Sequence, residues 1–149
     1  MIEGVQIKQL KRFCDERGYF LEILRDDDEM MLEHFGQTSY TISYPGVIKA
    51  FHWHRRQDDI WFVSSGMAQI VLHDIREGSA TRGRTQVIYA GERDPVAIFI
   101  PRGVAHGYRV LGSDPLGLFY HTNQSYNPAE PDEERIPYND PGVGFDWGS

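Results

Sequence analysis

The sequence predicts an all-β fold, a sandwich or barrel of short strands. Three observations predict it. Nine runs of six to eight residues are rich in aromatic and β-branched side chains, Gly, Pro and Asp clusters separate them, and 149 residues suit one domain spanning 1–149.

Each element has its own justification. GYFLEIL (18–24) follows an Asp-Glu-Arg-Gly turn. QTSYTISY (37–44) alternates Tyr40, Ile42 and Tyr44 with hydroxyl residues, the period of a strand with one wet face. VIKAFHWH (47–54) starts after Pro45-Gly46, and DIWFVSS (59–65) stops at Gly66. AQIVLHDI (68–75), TQVIYA (85–90) and VAIFIP (96–101) are apolar runs between polar loops. AHGYRVL (105–111) follows a Pro/Gly turn, and LGLFYHT (116–122) follows Gly112 to Pro115. DDDEMMLEHF (26–35), with an acidic start before Met30, Met31 and Leu32, predicts one short helix. The tail, 127–149, is rich in Pro, Gly and Asp. Its Ile136, Phe145 and Trp147 are apolar anchors with which it wraps over the barrel.

Composition narrows the function. A net charge of −7, from 15 basic and 22 acidic residues, argues against non-specific nucleic-acid binding. The single cysteine, Cys14, allows no disulfide within the chain and reads as a small core residue, which suits a reducing compartment. The first ten residues lack a basic start followed by an apolar run, and no stretch approaches the ~20 apolar residues of a membrane helix. The expectation is a cytoplasmic protein that does not engage membranes.

The stretch GVIKAFHWHRRQDDIWFVSSG (46–66) carries the chemistry. Residues two apart on a strand share a face, so His52 and His54 point together, with Ile48 and Ala50 on the same side and Phe51 and Trp53 on the other. If the next strand pairs with this one, Asp59 returns beside the histidines. His106, after Pro101-Arg102-Gly103, adds a third imidazole. Imidazole and carboxylate together suit a divalent Zn, Fe, Mn, Ni or Co ion.

Gly46, His52, His54, Asp59 and Gly66 resemble the first cupin motif, and Pro101, Gly103 and His106 resemble the second. The resemblance implies a double-stranded β-helix, the cupin jelly-roll barrel. It also implies His52, His54, Asp59 and His106 as the metal ligands, where a metal is bound. A closer resemblance runs through DERGYFLEIL (15–24), GVIKAFH (46–52), DIREGSATRG (74–83), IPRGVAHGY (100–108), FYHTNQSYNP (119–128) and RIPYNDPGVGFDW (135–147). These segments resemble the dTDP-4-dehydrorhamnose 3,5-epimerase family, which inverts carbons beside the ketone of nucleotide-linked 4-keto-6-deoxy sugars.

That resemblance implies an isomerase needing no cofactor, and a homodimer in which N-terminal strands pack across to the partner. It implies His52 as base, Tyr120 as acid and His106 as a pocket residue. Arg17, with Glu22 after it, matches a diphosphate contact, and Gln37 and Tyr126 fall at binding positions. Lys49 keeps a positive charge where the family has Arg, but strand parity places it opposite His52. It reaches the site only through a bulge or across a dimer.

The sequence departs from the family in a consistent direction. The family's Gln is His54, and its enolate-stabilising Lys is Asp59. The Asp that orients the base lies beyond the tryptophan segment in the family, and only Gly148 and Ser149 follow Trp147 here. The first two changes complete a metal-ligand set, so a metal and a His52 base compete for one imidazole. Two other readings stand beside the epimerase: a metal-dependent dioxygenase or sugar isomerase, and a non-catalytic sugar-binding cupin.

Overall fold

The computed structural model describes residues 1–30 and 32–148, and it is all-β. Twelve strands form among the described residues. In chain order they are β1 (Gln6–Gln9), β2 (Arg12–Asp15), β3 (Gly18–Leu21), β4 (Gln37–Ser43), β5 (Ile48–Trp53), β6 (Asp59–Ser65), β7 (Met67–Asp74), β8 (Thr85–Gly91), β9 (Val96–Ile100), β10 (Val104–Leu111), β11 (Leu116–Thr122) and β12 (Glu134–Arg135). All nine expected strands are present. The additional ones, β1, β2 and β12, are short and too polar to show an apolar run.

Two antiparallel five-stranded sheets face each other in a cupin-like jelly roll. One has the order β1-β9-β6-β11-β4 and the other β12-β5-β10-β7-β8, while β2 and β3 form a separate hairpin. Strand alternation explains the packing. On β6, Trp61 and Val63 join the core between the sheets, with Ile70, Leu72, Ile98, Val110 and Leu118. Ile60 and Phe62 point outward, where Leu21, Ile23, Leu24 and Leu32 cover them. The second sheet is covered the same way: Phe51, Val71 and Ala105 pack against Trp147, with Ile136 and Phe145 alongside, so the three expected tail anchors all pack there.

Three expectations are corrected. β6 does not pair with β5; it lies in the facing sheet, so Asp59 meets the histidines from across the cavity. No helix forms in 26–35 among the described residues, which excludes Met31. This stretch is turns and bends because its acids bond locally and to a distant lysine. Asp28 accepts from the Arg25 backbone N–H at 2.8 Å and from Lys8 Nζ at 2.6 Å, and Arg25 pairs with Asp27 at 2.8 Å. Cys14 is exposed on the β2–β3 hairpin rather than buried in the core. Among the described residues no helix is long and apolar enough to cross a membrane.

Candidate active site

The core fills one part of the space between the sheets. Beside it lies a cavity of about 840 Å³. Eight residues expected from sequence line it: Gln37, Lys49, His52, His54, Asp59, His106, Tyr120 and Tyr126.

A bulge in β5 sets the histidine geometry. His52 pairs with His106 and Lys49 with Tyr108, so three steps along β5 match two along β10. Strict alternation therefore breaks. Ile48, Ala50 and Phe51 pack on the outer cluster, which corrects the placement of Ile48 and Ala50 behind the histidines, and Lys49 joins His52 at the cavity. Gly107 lies against the bulge. A Cβ there would come within 2.4 Å of the Ala50 Cβ, so only glycine permits the approach.

The tail builds the other half of the site. Strand β12 pairs Arg135 with His52 and Glu134 with Trp53. This brings Glu133 to His52, with Oε1 2.7 Å from Nδ1. The carboxylate accepts, so Nδ1 carries the hydrogen and Nε2 is left to act on a ligand. Asp132, one residue earlier, accepts from the backbone N–H groups of Arg55, Arg56 and Gln57 at 2.8, 2.9 and 3.0 Å. Burial alone would raise the Asp132 pKa. The three N–H donors outweigh it and hold the carboxyl below its ordinary value. Asp132 and Glu133 hold the site's histidines and were not expected from the sequence. Their signal was an acidic pair in a Pro-rich tail, uninformative without the β12 register.

His54, Asp59 and His106 form a buried group beside this dyad. One ligand atom from each lies within 4.8 Å of the others. His54 Nδ1 donates to the Asp132 carbonyl at 2.5 Å, and His106 Nδ1 donates to the Val104 carbonyl at 3.0 Å. Carbonyls only accept, so Nδ1 carries a hydrogen in both rings and Nε2 is the nitrogen left to meet a ligand. Asp59 accepts from Trp61 Nε1 at 3.0 Å and from Gln57 Nε2 at 2.8 Å. Burial lowers the His106 pKa, with Asp59 pulling the other way, so this ring is neutral. This group holds three of the four expected ligands; His52 lies outside it, with its ring held by Glu133.

Tyr120 enters from β11, in the opposite sheet to His52, and packs half-buried against the core. Gln37 accepts from the Tyr126 backbone N–H at 2.9 Å and so braces the cavity mouth. Arg17 and Glu22 are not brought to this cavity. Arg17 sits at the exposed tip of the β2–β3 hairpin, paired with Asp15, because that hairpin is a separate sheet. Glu22 lies beyond it, 3.4 Å from Arg25.

The model of a family described as dTDP-4-dehydrorhamnose 3,5-epimerase matches residues 1–149. The chain belongs to the dTDP-4-dehydrorhamnose 3,5-epimerase family. Named members of this family are epimerases, enzymes of the isomerase class. A spore coat polysaccharide biosynthesis protein, SpsL of Bacillus subtilis, is 57% identical over 149 residues, covering 100% of this chain and 98% of that protein. A probable low-salt glycan biosynthesis epimerase of Haloferax volcanii, Agl13, is 33% identical over 99% of this chain and 96% of its own length. Among solved structures, a dTDP sugar isomerase from Desulfovibrio desulfuricans superposes with a TM-score of 0.89 at 28% identity, covering 98% of this chain and 92% of that one. A Legionella pneumophila epimerase of the family, solved with dTDP-4-keto-L-rhamnose, has a TM-score of 0.87 at 30% identity, covering 98% and 79%. Family membership favours epimerase chemistry over the dioxygenase and the non-catalytic cupin.

Proposed function

We propose that the chain is a nucleotide-sugar epimerase acting on a dTDP-linked 4-keto-6-deoxy sugar in deoxysugar biosynthesis. One observation carries the reading. The His52–Glu133 dyad and Tyr120 reach a single cavity from opposite sheets, as a reaction that removes a proton from one face of a carbon and returns one to the other requires.

The carbon beside the ketone loses its proton to His52 Nε2, and the C–H electron pair moves onto the carbonyl oxygen as an enolate. The Glu133 carboxylate stabilises the imidazolium that forms. The enolate then collapses, its carbon takes the Tyr120 phenolic proton on the opposite face, and solvent restores both residues. Lys49, at the cavity wall, supplies positive charge that the family's missing lysine does not. Base, acid and charge all come from side chains.

The substrate's nucleotide calls for a second chain. Phe13, Tyr19 and Phe20 are 49%, 55% and 61% exposed on the β2–β3 hairpin, which is unusual cover for aromatic side chains. A homodimer that buries this hairpin against a partner would bring Arg17 and Glu22 to the partner's cavity, where Arg17 suits a diphosphate. A cytoplasmic setting fits a nucleotide-sugar substrate.

The test is deuterium wash-in from heavy water into a dTDP-linked 4-keto-6-deoxyhexose. Wild type should exchange the protons beside the ketone. His52→Asn should slow exchange by about 10³-fold or more, with the circular dichroism spectrum unchanged. Absence of exchange in wild type would defeat the reading.

A further inference from the structure

Three buried aspartates separate cleanly by partner. Asp58 is held by Arg102 at 2.8 Å and Asp74 by Arg76 at 2.9 Å. Asp59, only 3% exposed, has no such partner: among the described residues no Lys or Arg forms an ion pair with it. Among the described residues it receives the Trp61 and Gln57 N–H donors, and His54 Nε2 lies 3.9 Å away. A buried carboxylate without a cation is costly, and proteins resolve it by pairing or by binding metal.

The surrounding atoms are arranged for the second solution. Backbone carbonyls take the Nδ1 hydrogens of His54 and His106, which orients both rings and leaves Nε2 of each as the nitrogen free to ligate, in a group whose ligand atoms lie within 4.8 Å of one another. Trp61 holds Asp59 Oδ2 and leaves Oδ1 toward the histidines. Each ligand thus has the outer partner that fixes its orientation in metal sites. Gln57 Nε2 lies 2.8 Å from Asp59 Oδ1 and 3.3 Å from His54 Nε2, so a neutral amide presents its hydrogens to two acceptors that a cation would bridge.

We propose that His54, Asp59 and His106 bind one divalent transition-metal ion, of the Zn, Fe, Mn, Co or Ni class, beside the dyad and without His52. Two imidazoles and one carboxylate suit these ions better than Mg or Ca, which prefer oxygen ligands alone. Such an ion supplies Lewis acidity within the cavity. Because His52 is held by Glu133 and lies outside the ligand group, metal and base no longer compete for one imidazole.

The experiment uses untagged full-length protein, stripped with a chelator and titrated with Zn²⁺ or Co²⁺ alone. Calorimetry should give one ion per chain, and Co²⁺ should develop the visible absorption of a nitrogen-ligated site. His54→Ala and Asp59→Asn should weaken binding at least 100-fold, and Trp61→Phe about tenfold, on the scale of lost outer partners. His52→Ala should bind as wild type does. Thermal melts establish that each variant is folded, and Trp61→Phe keeps the test alive if a ligand variant is not. Wild type that binds no ion stoichiometrically overturns the proposal, as does a His52→Ala loss equal to that of His54→Ala. Metal content is read without activity, so failure here leaves the epimerase reading intact.

Discussion

His52 and His54 stand two residues apart at one cavity wall, yet opposite kinds of partner hold their rings. His52, with 30% of its side chain exposed, faces the carboxylate of Glu133. His54, at 10%, faces a backbone carbonyl. A carboxylate can balance an imidazolium, so His52 is equipped to carry a proton. A carbonyl fixes the tautomer without adding charge, so His54 is equipped to offer a lone pair. The same side chain is prepared for two chemistries by what touches Nδ1, and one strap of tail, Asp132-Glu133, supplies both partners.

The largest expected effect in this comparison comes from removing the charge from one partner. Glu133→Gln keeps a group that can bond His52 Nδ1 but cannot balance an imidazolium. The turnover number for wash-in should fall by about 10²-fold while KM changes little, and Glu133→Asp should recover part of the rate. A Gln variant as fast as wild type would mean that Glu133 merely packs, and the contrast between the two histidines would lose its meaning.

Next comes Arg17, outside the pair. Arg17→Ala should weaken dTDP binding by ~1–3 kcal/mol in calorimetry, the scale of a lost charge-assisted hydrogen bond. The loss should require the dimer. Light scattering at micromolar concentration should report two chains, and a monomer with unchanged dTDP affinity would confine the site to the cavity between the sheets.

Much of this site was legible from spacing. Period-two alternation put His52 and His54 on one face, and the Pro/Gly turn before His106 brought it to the strand next door, where its register partner is His52. Other features were hidden for physical reasons. The β5 bulge places Lys49 inward and Ile48 outward, and nothing local in KAF announces it. The acidic segment 26–35 has a helical start in composition, but Lys8, twenty residues away in sequence, competes for Asp28. Glu133 was invisible because its role depends on β12 pairing with β5, a contact across about eighty positions. The carboxylate that meets His52 belongs to Glu133, just before β12.

The smallest effect concerns the strap itself. Asp132 closes the 54–57 turn through three backbone N–H groups, so it holds β5's exit and the tail together. Asp132→Ala leaves those donors to water and should cost about 1–2 kcal/mol at pH 7. The pH dependence has a definite sign. The folded carboxyl sits below its ordinary value, so the unfolded chain binds the proton more readily. The charge's contribution is complete above the unfolded value near ~3.9, and it is lost as pH falls through the lower folded value. Denaturant melts of wild type and Asp132→Ala should therefore differ by a constant amount from pH 5 to 7 and converge on further acidification. A gap that persists undiminished at low pH would show that the strap is held by packing of Ile136 and Trp147 rather than by its charge, and both histidines would then owe their partners to the apolar tail.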